Sequence, residues 1–381
     1  MKKIMIFGST GSIGRNALDV IRRETEKFKV LGLCANSDLG VLISQIKEFR
    51  PSYVCISDEK RAEILEKIID KKITLFKGTK GLKDFSSIAC DISVMAISGI
   101  SCLRPLLVNM QYAKRIALAN KESVVTAGNF VFSQAKKMGT EIIPVDSEIN
   151  ALFQLFEQGN AFERVYLTAS GGSLIDYKKK DLAKVNAKAV LSHPTWRMGK
   201  RITVDSATLV NKAFEVVETH YFFELPYDNI DVVVHRQALI HALVQCPDKN
   251  IFACLYPTDM RIPIAFALYY PKRRQIFEGV NFNKFFSLSF EPLKKGNFAL
   301  FELVIEAAKR KDNSLAILNA CDEIAIEYFL KAKIKFTDIH RVMQHLFEHY
   351  PSRRLKNVED IFYWDNWGRE KTINYLDKLI S

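Results

Sequence analysis

No apolar run in the 381 residues reaches the roughly 18 positions that a membrane span requires. The N-terminal run Ile4-Met5-Ile6-Phe7 stops at Gly8, which is too short for a signal peptide, and no transit peptide precedes it; a cytoplasmic, bacterial protein is expected. The seven cysteines are odd in number and contain no C-x-x-C pair, so neither a disulfide framework nor a cysteine-ligated zinc site is indicated, and reduced, mostly buried thiols are expected. Acid is scarcer than base, 43 residues against 55, for a net charge of +12. Such a charge suits nucleic acid, an anionic membrane surface or anionic small molecules. The basic residues are spread along the chain, and the densest run, Lys178-Lys179-Lys180, meets Asp181 at once, as a solvated helix start does. Zinc-finger, RRM and recognition-helix patterns are lacking, which leaves anionic small molecules as the expected partners, with no nucleic acid and no membrane. Internal repeats and low-complexity tracts are also missing. His340, His345 and His349, spaced by five and four, read as a helix surface and not as a metal site.

With 48% hydrophobic and 26% charged residues the chain has a globular composition, and its length suits two or three domains of about 100–200 residues. The first third alternates β-branched runs at 3–7, 30–34, 53–56, 92–97, 115–119 and 141–145 with helical patterns, the rhythm of a parallel sheet covered by helices. Between the first two strands lies Gly8-Ser9-Thr10-Gly11-Ser12-Ile13-Gly14, followed by a helical pattern over 15–23. Strand, glycine turn and helix together form the context of a dinucleotide-binding, Rossmann-type domain: Gly8 and Gly11 permit the tight turn and close approach of a pyrophosphate, and Gly14 permits close packing. At the end of the second strand stands Ala35-Asn36-Ser37, without the acid that reads a 2′-hydroxyl, which favours NADP; Asp38, one step on, counts against it.

Beyond Asn150 the rhythm changes. A helix over 151–157, a strand over 164–169 and the turn Ser170-Gly171-Gly172-Ser173 lead to the loop His193-Pro194-Thr195-Trp196-Arg197-Met198-Gly199. Exposing a Trp and a Met is costly, so this loop either plugs a core or forms a lid over a ligand. The spacing then predicts one amphipathic helix over 207–223 with Ser206 as its N-cap, strands over 231–235, 238–245 and 251–255, and a hairpin turn at 247–250. The irregular segment 271–298 reads as a linker, and helices are expected over 299–311, 314–332, 337–348 (capped by Thr337) and 358–379 (broken near Gly368). The fold class is therefore α/β, with four segments: a dinucleotide-binding domain over 1–150, an α+β catalytic domain over 151–270, a linker over 271–298 and a helical bundle over 299–381.

Polar clusters mark where chemistry could sit. Pro144-Val145-Asp146-Ser147-Glu148 ends one strand, and if the backbone stays extended Asp146 and Glu148 point to one side, suiting a hard divalent metal. Alternatively Asp146 or Ser147 caps the helix that Glu148 opens. Asn120-Lys121-Glu122 ends the preceding strand, where open α/β sheets bind ligands; Lys121 meets an anion there or pairs with Glu122. Asn211 and Glu215 are four apart on one helix face beside Lys212, so that Ser206, Asn211 and Lys212 could hold a phosphate and Glu215 could add a third carboxylate for Mg²⁺ or Mn²⁺; an ordinary exposed helix face is the alternative.

These motifs, with Ala119-Asn120-Lys121-Glu122-Ser123, Ser170-Gly171-Gly172, Asp205-Ser206-Ala207-Thr208, and Leu318-Asn319-Ala320 with Glu323, occur in the order and spacing of the 1-deoxy-D-xylulose 5-phosphate reductoisomerases, which the chain resembles from its first strand into its C-terminal helices. The resemblance implies an NADPH- and metal-dependent homodimeric oxidoreductase of the non-mevalonate isoprenoid route, rearranging and reducing that phosphosugar to 2-C-methyl-D-erythritol 4-phosphate. It implies Mg²⁺ or Mn²⁺ on Asp146, Glu148 and Glu215, with Lys121 and His193 also catalytic. It assigns the substrate to Lys121, Ser147, Glu148, Ser170, His193, Trp196, Ser206, Asn211, Lys212 and Glu215, the phosphate mainly to Ser170, Ser206, Asn211 and Lys212. NADPH falls to Gly8, Thr10, Gly11, Ser12, Ile13, Asn36, Asn120, Glu122 and Gly199, and the loop of Trp196 becomes the lid. The chain departs from the family pattern at Ser37-Asp38, where a Lys-Asn pair is common, and at Ser173-Leu174, Thr195, Arg236 and Ala238. A simple NAD(P)-dependent dehydrogenase, which would need no metal, is the alternative enzyme.

Overall fold

The computed structural model describes residues 1–159, 161–192, 195–196, 199–283, 287–293 and 298–381. In chain order the strands are β1 (Lys2–Phe7), β2 (Phe28–Ala35), β3 (Tyr53–Ile56), β4 (Thr74–Lys77), β5 (Cys90–Met95), β6 (Ala113–Leu118), β7 (Glu141–Pro144), β8 (Arg164–Ala169), β9 (Ile230–Val234), β10 (Ile240–Gln245), β11 (Ile251–Leu255) and β12 (Glu291–Pro292). The helices are α1 (Ser12–Arg23), α2 (Leu39–Phe49), α3 (Glu59–Glu66), α4 (Gly78–Ser86), α5 (Leu103–Asn109), α6 (Lys121–Met138), α7 (Ser147–Phe156), α8 (Ala187–Val190), α9 (Lys200–Thr208), α10 (Val210–Phe223), α11 (Arg261–Tyr269), α12 (Ala299–Arg310), α13 (Ser314–Leu330), α14 (Phe336–His349) and α15 (Val358–Ile380). They group into two compact units: Met1–Ser123 with Val131–Phe153 and Asp259–Gly279, and Val124–Phe130 with Gln154–Thr258 and Val280–Ser381. This grouping differs from the four segments read in the sequence, because Asp259–Gly279 returns to the first unit and the C-terminal helices join the second sheet's unit.

The first unit is built on a seven-stranded sheet of order β4-β3-β2-β1-β5-β6-β7, all of whose pairs are parallel. Strands covered on both faces must be apolar throughout, and Ile4, Met5, Ile6 and Phe7 of β1 are completely buried. Their core takes in Leu18 and Ile21 of α1 and Ile264, Ala267 and Leu268 of α11. β4 and α11 went unread in the sequence; β4 is only four residues, none of them fully buried, too short to show a period. The chain reverses direction across the sheet between β1 and β5, and the turn after β1 sits at that switch point, where open α/β sheets bind ligands.

The second unit has a five-stranded mixed sheet, β11-β10-β8-β9-β12, in which only the β8–β9 pair is parallel. Val204, Val210, Phe214 and Val217 of α9 and α10 share one core with Leu303, Leu318, Ile326, Val342 and Leu376 of the C-terminal helices. Three helix readings are corrected here. The single helix expected over 207–223 is two, because Leu209 adopts a left-handed conformation at φ 61° and ends α9; Ser206 lies inside α9, not at a cap. α14 begins at Phe336, and Asp338 Oδ2 accepts from the Lys335 amide at 2.9 Å, so Thr337 does not cap it. α15 runs unbroken through Gly368, where a Cβ would stand 3.0 Å from the Ile317 carbonyl oxygen and 3.2 Å from the Ala320 Cβ; this glycine lets α15 approach α13 closely.

None of the seven cysteines is in a disulfide; six are buried and Cys254 is half-buried, and burial pushes the Cys321 thiol up to about 12 and Cys90 to about 11. Among the described residues no helix is long and apolar enough to cross a membrane. The packing role of Gly368 predicts that Gly368→Leu lowers the free energy of unfolding by about 1–3 kcal/mol in a urea titration, the usual cost of overfilling a packed contact. A gain in stability, expected for a glycine idle inside an exposed helix, would refute that role.

Candidate active site

The glycine turn at the switch point is shaped by close contact. Gly8 has φ +84°, and a Cβ on it would lie 2.3 Å from the Ala96 carbonyl oxygen; a Cβ on Gly14 would lie 2.3 Å from the carbonyl oxygen of Gly8. Gly14 thus packs on the turn itself, while Gly11, at the start of α1, faces no such crowding. The amides of Gly8 and Ser9 both donate to the Cys34 carbonyl oxygen, at 2.9 and 2.8 Å, which seats the turn on the end of β2. Gln45 Nε2 donates to the Ser9 carbonyl oxygen at 2.8 Å from the buried side. Since no side chain caps α1, the amides of Ser12, Ile13 and their neighbours are presented as a helix N-terminus should present them to a pyrophosphate. Thr10 lies in the same turn. Asn36 follows β2 directly, and its carbonyl oxygen accepts from the Asp58 amide at 3.0 Å. Asp38, read against NADP in the sequence, caps α2 through an acceptance from the Val41 amide at 3.1 Å.

At the ends of β6 and β7 the polar clusters form a connected set. Asn120 Oδ1 accepts from the Ser123 amide at 2.9 Å, capping α6, and its Nδ2 reaches the carbonyl oxygens of Ile97 and Gly99 and the Glu122 carboxylate at 2.9, 3.1 and 2.8 Å. Glu122 accepts from the Gly99 amide at 3.1 Å. Asn120 and Glu122 therefore brace the loop after β5. Lys121 turns the other way and pairs with Asp146 at 2.6 Å, with side chains only 10% and 12% exposed. The carboxylate of the next strand end is thus a partner of Lys121 beyond the two named from the sequence, an anion and Glu122.

Asp146 also serves α7, accepting from the Glu148 amide at 3.3 Å, so the cap reading holds beside the acidic pair. β7 stops at Pro144 and α7 starts at Ser147, so the extended backbone considered for Asp146 and Glu148 is not the one adopted, and the turn sets their directions. Ser147 Oγ donates to Glu148. Asn150, completely buried, ties the helix back through a 2.7 Å bond to the Pro144 carbonyl oxygen.

In the second unit the helix face of Asn211, Lys212 and Glu215 is not exposed. Glu215 is 1% and Lys212 4% accessible. Asn211 Nδ2 donates to Glu215 Oε1 at 2.5 Å, and Lys212 binds the other carboxylate oxygen. Ser206 reaches its own helix, donating to the Ile202 carbonyl oxygen at 2.8 Å. The turn after β8 lies against it: Gly172, at φ +69°, would place a Cβ 2.6 Å from the Ser206 carbonyl oxygen. Gly172 thereby brings the serine loop against Ser206 and Ala207 of α9. Trp196 is half-buried, its ring 6.1 Å from that of His241, which stacks on Tyr256 at 3.9 Å. Gly199 starts α9. His193, Pro194, Arg197 and Met198 lie outside the described residues.

Sequence reading missed an ionic hub behind this junction. Arg201 Nη2 donates to Asn319 Oδ1 at 3.1 Å and lies 3.5–3.8 Å from Asp205, Asp322 and Glu323; Arg369 binds Glu323 and Asp365 at 2.6 and 2.7 Å. Burial pushes the Asp365 carboxyl up, and Arg369 opposes that shift. Asp205, Asn319 and Glu323 stood among the family motifs, but the only local sign that Arg201 joins them was its four-residue step to Asp205.

Profiles of two kinds of domain cover most of the chain. That of 1-deoxy-D-xylulose 5-phosphate reductoisomerase matches residues 4–128, and those of the enzyme's C-terminal domains match 142–223 and 255–371. The 1-deoxy-D-xylulose 5-phosphate reductoisomerase of Caldanaerobacter subterraneus subsp. tengcongensis is 42% identical over 376 residues, 97% of this chain and 98% of that protein. That of Thermotoga maritima is 41% identical over 374 residues, 95% and 94% of the two chains. Among solved structures, a DOX-P reductoisomerase in complex with NADPH, fosmidomycin and magnesium superposes with a TM-score of 0.92 at 32% identity, covering 100% of this chain and 99% of that one. The Zymomonas mobilis enzyme in complex with NADPH gives 0.91 at 32%, covering 98% and 99%. A glycine turn at the switch point, polar clusters at two neighbouring strand ends and similarity of sequence and fold along nearly the whole length converge on one conclusion: the chain belongs to the 1-deoxy-D-xylulose 5-phosphate reductoisomerase family.

Proposed function

We propose that the chain converts 1-deoxy-D-xylulose 5-phosphate to 2-C-methyl-D-erythritol 4-phosphate, using NADPH and a divalent cation. The observation that carries this reading is the burial of acids beside ammonium groups in both units, Asp146 with Lys121 and Glu215 with Lys212. Asp146, Glu148 and Glu215 each offer a carboxylate oxygen, a donor set suited to Mg²⁺ or Mn²⁺. Three acids in a protected setting need positive charge, and in each unit a lysine supplies part of it. When bound, the cation supplies Lewis acidity at the substrate's ketone and adjacent hydroxyl, and NADPH supplies the hydride that reduces the rearranged aldehyde.

The chain's own residues do the rest. Ser170, Ser206, Asn211 and Lys212 hold the substrate phosphate, and Lys121, Ser147 and Glu148 orient the reacting end. Lys121 and Glu148 are the side chains there that can carry a proton, and His193 joins them from the loop. The amides of Ser12 and Ile13 take the NADPH pyrophosphate, with Gly8, Thr10 and Gly11 forming the turn beneath it, its Gly11 amide held by the Gly8 carbonyl oxygen at 3.1 Å, and with Asn36, Asn120, Glu122 and Gly199 along the cofactor. Trp196 rides on the loop that closes over the substrate and keeps water from the intermediate. The active form is a homodimer in the cytoplasm: β11, at the sheet edge, exposes Ile251 and Phe252, the kind of apolar edge that a partner covers.

Following NADPH absorbance with 1-deoxy-D-xylulose 5-phosphate should show oxidation only when Mg²⁺ or Mn²⁺ is present; metal-independent turnover of some other aldehyde would support a plain dehydrogenase instead. Glu215→Gln should lower kcat/KM at least ~10²-fold, the scale of losing one stabilising charge in a closed site. Unchanged activity in a variant of native circular dichroism would remove Glu215 from the ligand set. Light scattering should return twice the subunit mass, and Phe252→Asp should shift it toward the monomer.

A further inference from the structure

We propose that Arg15 reads the 2′-phosphate of NADPH in this chain, an inference that rests on the NADPH reading above. The position that distinguishes the two nicotinamide dinucleotides is the end of the second strand, beside the adenosine ribose. Here that position carries Asn36 and Ser37, which have no charge, followed by Asp38, whose charge has the wrong sign for a phosphate. A cation must come from elsewhere in the fold.

Arg15 comes from the first helical turn of α1, and two contacts place its guanidinium at that strand end. Its Nε donates to the Thr10 carbonyl oxygen at 2.7 Å, fixing it to the glycine turn. The turn in turn sits on Cys34 of β2 through the Gly8 and Ser9 amides. Its Nη2 reaches Asp38 Oδ2 at 3.3 Å, one residue beyond Ser37. Arg15 thus spans from the loop that takes the pyrophosphate to the residues beside the ribose.

The donors are not exhausted by these contacts. One Nε hydrogen goes to Thr10 and one Nη2 hydrogen makes a long bond to Asp38, which leaves Nη1 and the second Nη2 hydrogen for a phosphate held in the two-pronged geometry that guanidinium favours. The Arg15–Asp38 pair is about half exposed on both sides, 55% and 46%, so it is weak and its guanidinium is accessible. Asp38 has separate work in capping α2 through Oδ1, so its carboxylate stays in place when the guanidinium turns to a phosphate. It then stands close enough to repel that phosphate, and the chain binds NADPH against a built-in opposing charge.

Isothermal titration with NADPH, NADH and adenosine 2′,5′-bisphosphate tests the assignment without turnover. The wild-type chain should bind NADPH more tightly than NADH, a preference that fades as salt rises. Arg15→Gln should weaken NADPH and the bisphosphate about 10- to 100-fold, the range of one charge-assisted bidentate contact, while leaving NADH within about twofold; Arg15→Lys should restore part of the loss. Asp38→Asn, which keeps a capping oxygen, should tighten NADPH and leave NADH unchanged. Equal losses for NADPH and NADH in Arg15→Gln would show that the residue only braces the turn and would overturn the proposal, as would an undiminished preference for NADPH. A wild-type chain that does not prefer NADPH over NADH would instead overturn the choice of cofactor.

Discussion

A charge taken out of water needs a partner, and the polar clusters of this chain are built on that requirement. Lys121 and Asp146 are almost fully covered, as are Lys212 and Glu215, and a buried charge that loses its opposite-sign partner is strongly destabilising. The pairing has a structural consequence in each unit. Lys121 opens α6 after β6, and Asp146 precedes α7 after β7, so their contact ties two neighbouring strand ends at one point. Within α10 the same need binds Lys212 and Asn211 to Glu215 and holds three polar groups in one orientation. Such preorganised groups need little rearrangement when a ligand of matching charge arrives.

Around those pairs, close backbone approach does what side chains elsewhere would do. Gly8 and Gly14 let the turn fold against Ala96 and against itself, and Gly172 lets the serine loop lie on Ser206. Each position is a steric statement about the nearest carbonyl oxygen, independent of what the site binds. The polar network of Asn120 and Glu122 supports the loop after β5 in the same indirect way, by satisfying its carbonyl and amide groups.

Much of this was legible in the sequence because it is local. The strands β3, β8 and β11 match the expected positions at both ends, since each is a short apolar run bounded by turn residues. The glycine turn, the paired acids and the Asn-Lys-Glu cluster were readable from spacing alone. What escaped was set by partners distant in sequence or by backbone conformation. Nothing about Leu209 announces a left-handed residue, so two helices read as one and Ser206 read as a cap. Gly368 looked like a helix break because its reason, the neighbouring Ile317 carbonyl, is 51 positions away (368 − 317). Arg15 and Asp38 are 23 apart, and only the fold brings them together. The partition into units was hidden for the same reason, since Asp259–Gly279 rejoins a sheet whose last strand ended at Pro144.

The ionic hub behind α9 bears on how the protein is made. Arg201 is joined to Asn319 across 118 positions, and Glu323 is joined in turn to Arg369 near the end of the chain. During vectorial synthesis the helix that carries Ser206 is therefore exported long before the side chains that fix it exist. The first sheet waits in the same way for α11. The restraints on α9 are therefore complete only once α13 and α15 have been made and packed, so this part of the fold depends on contacts between residues far apart in the chain.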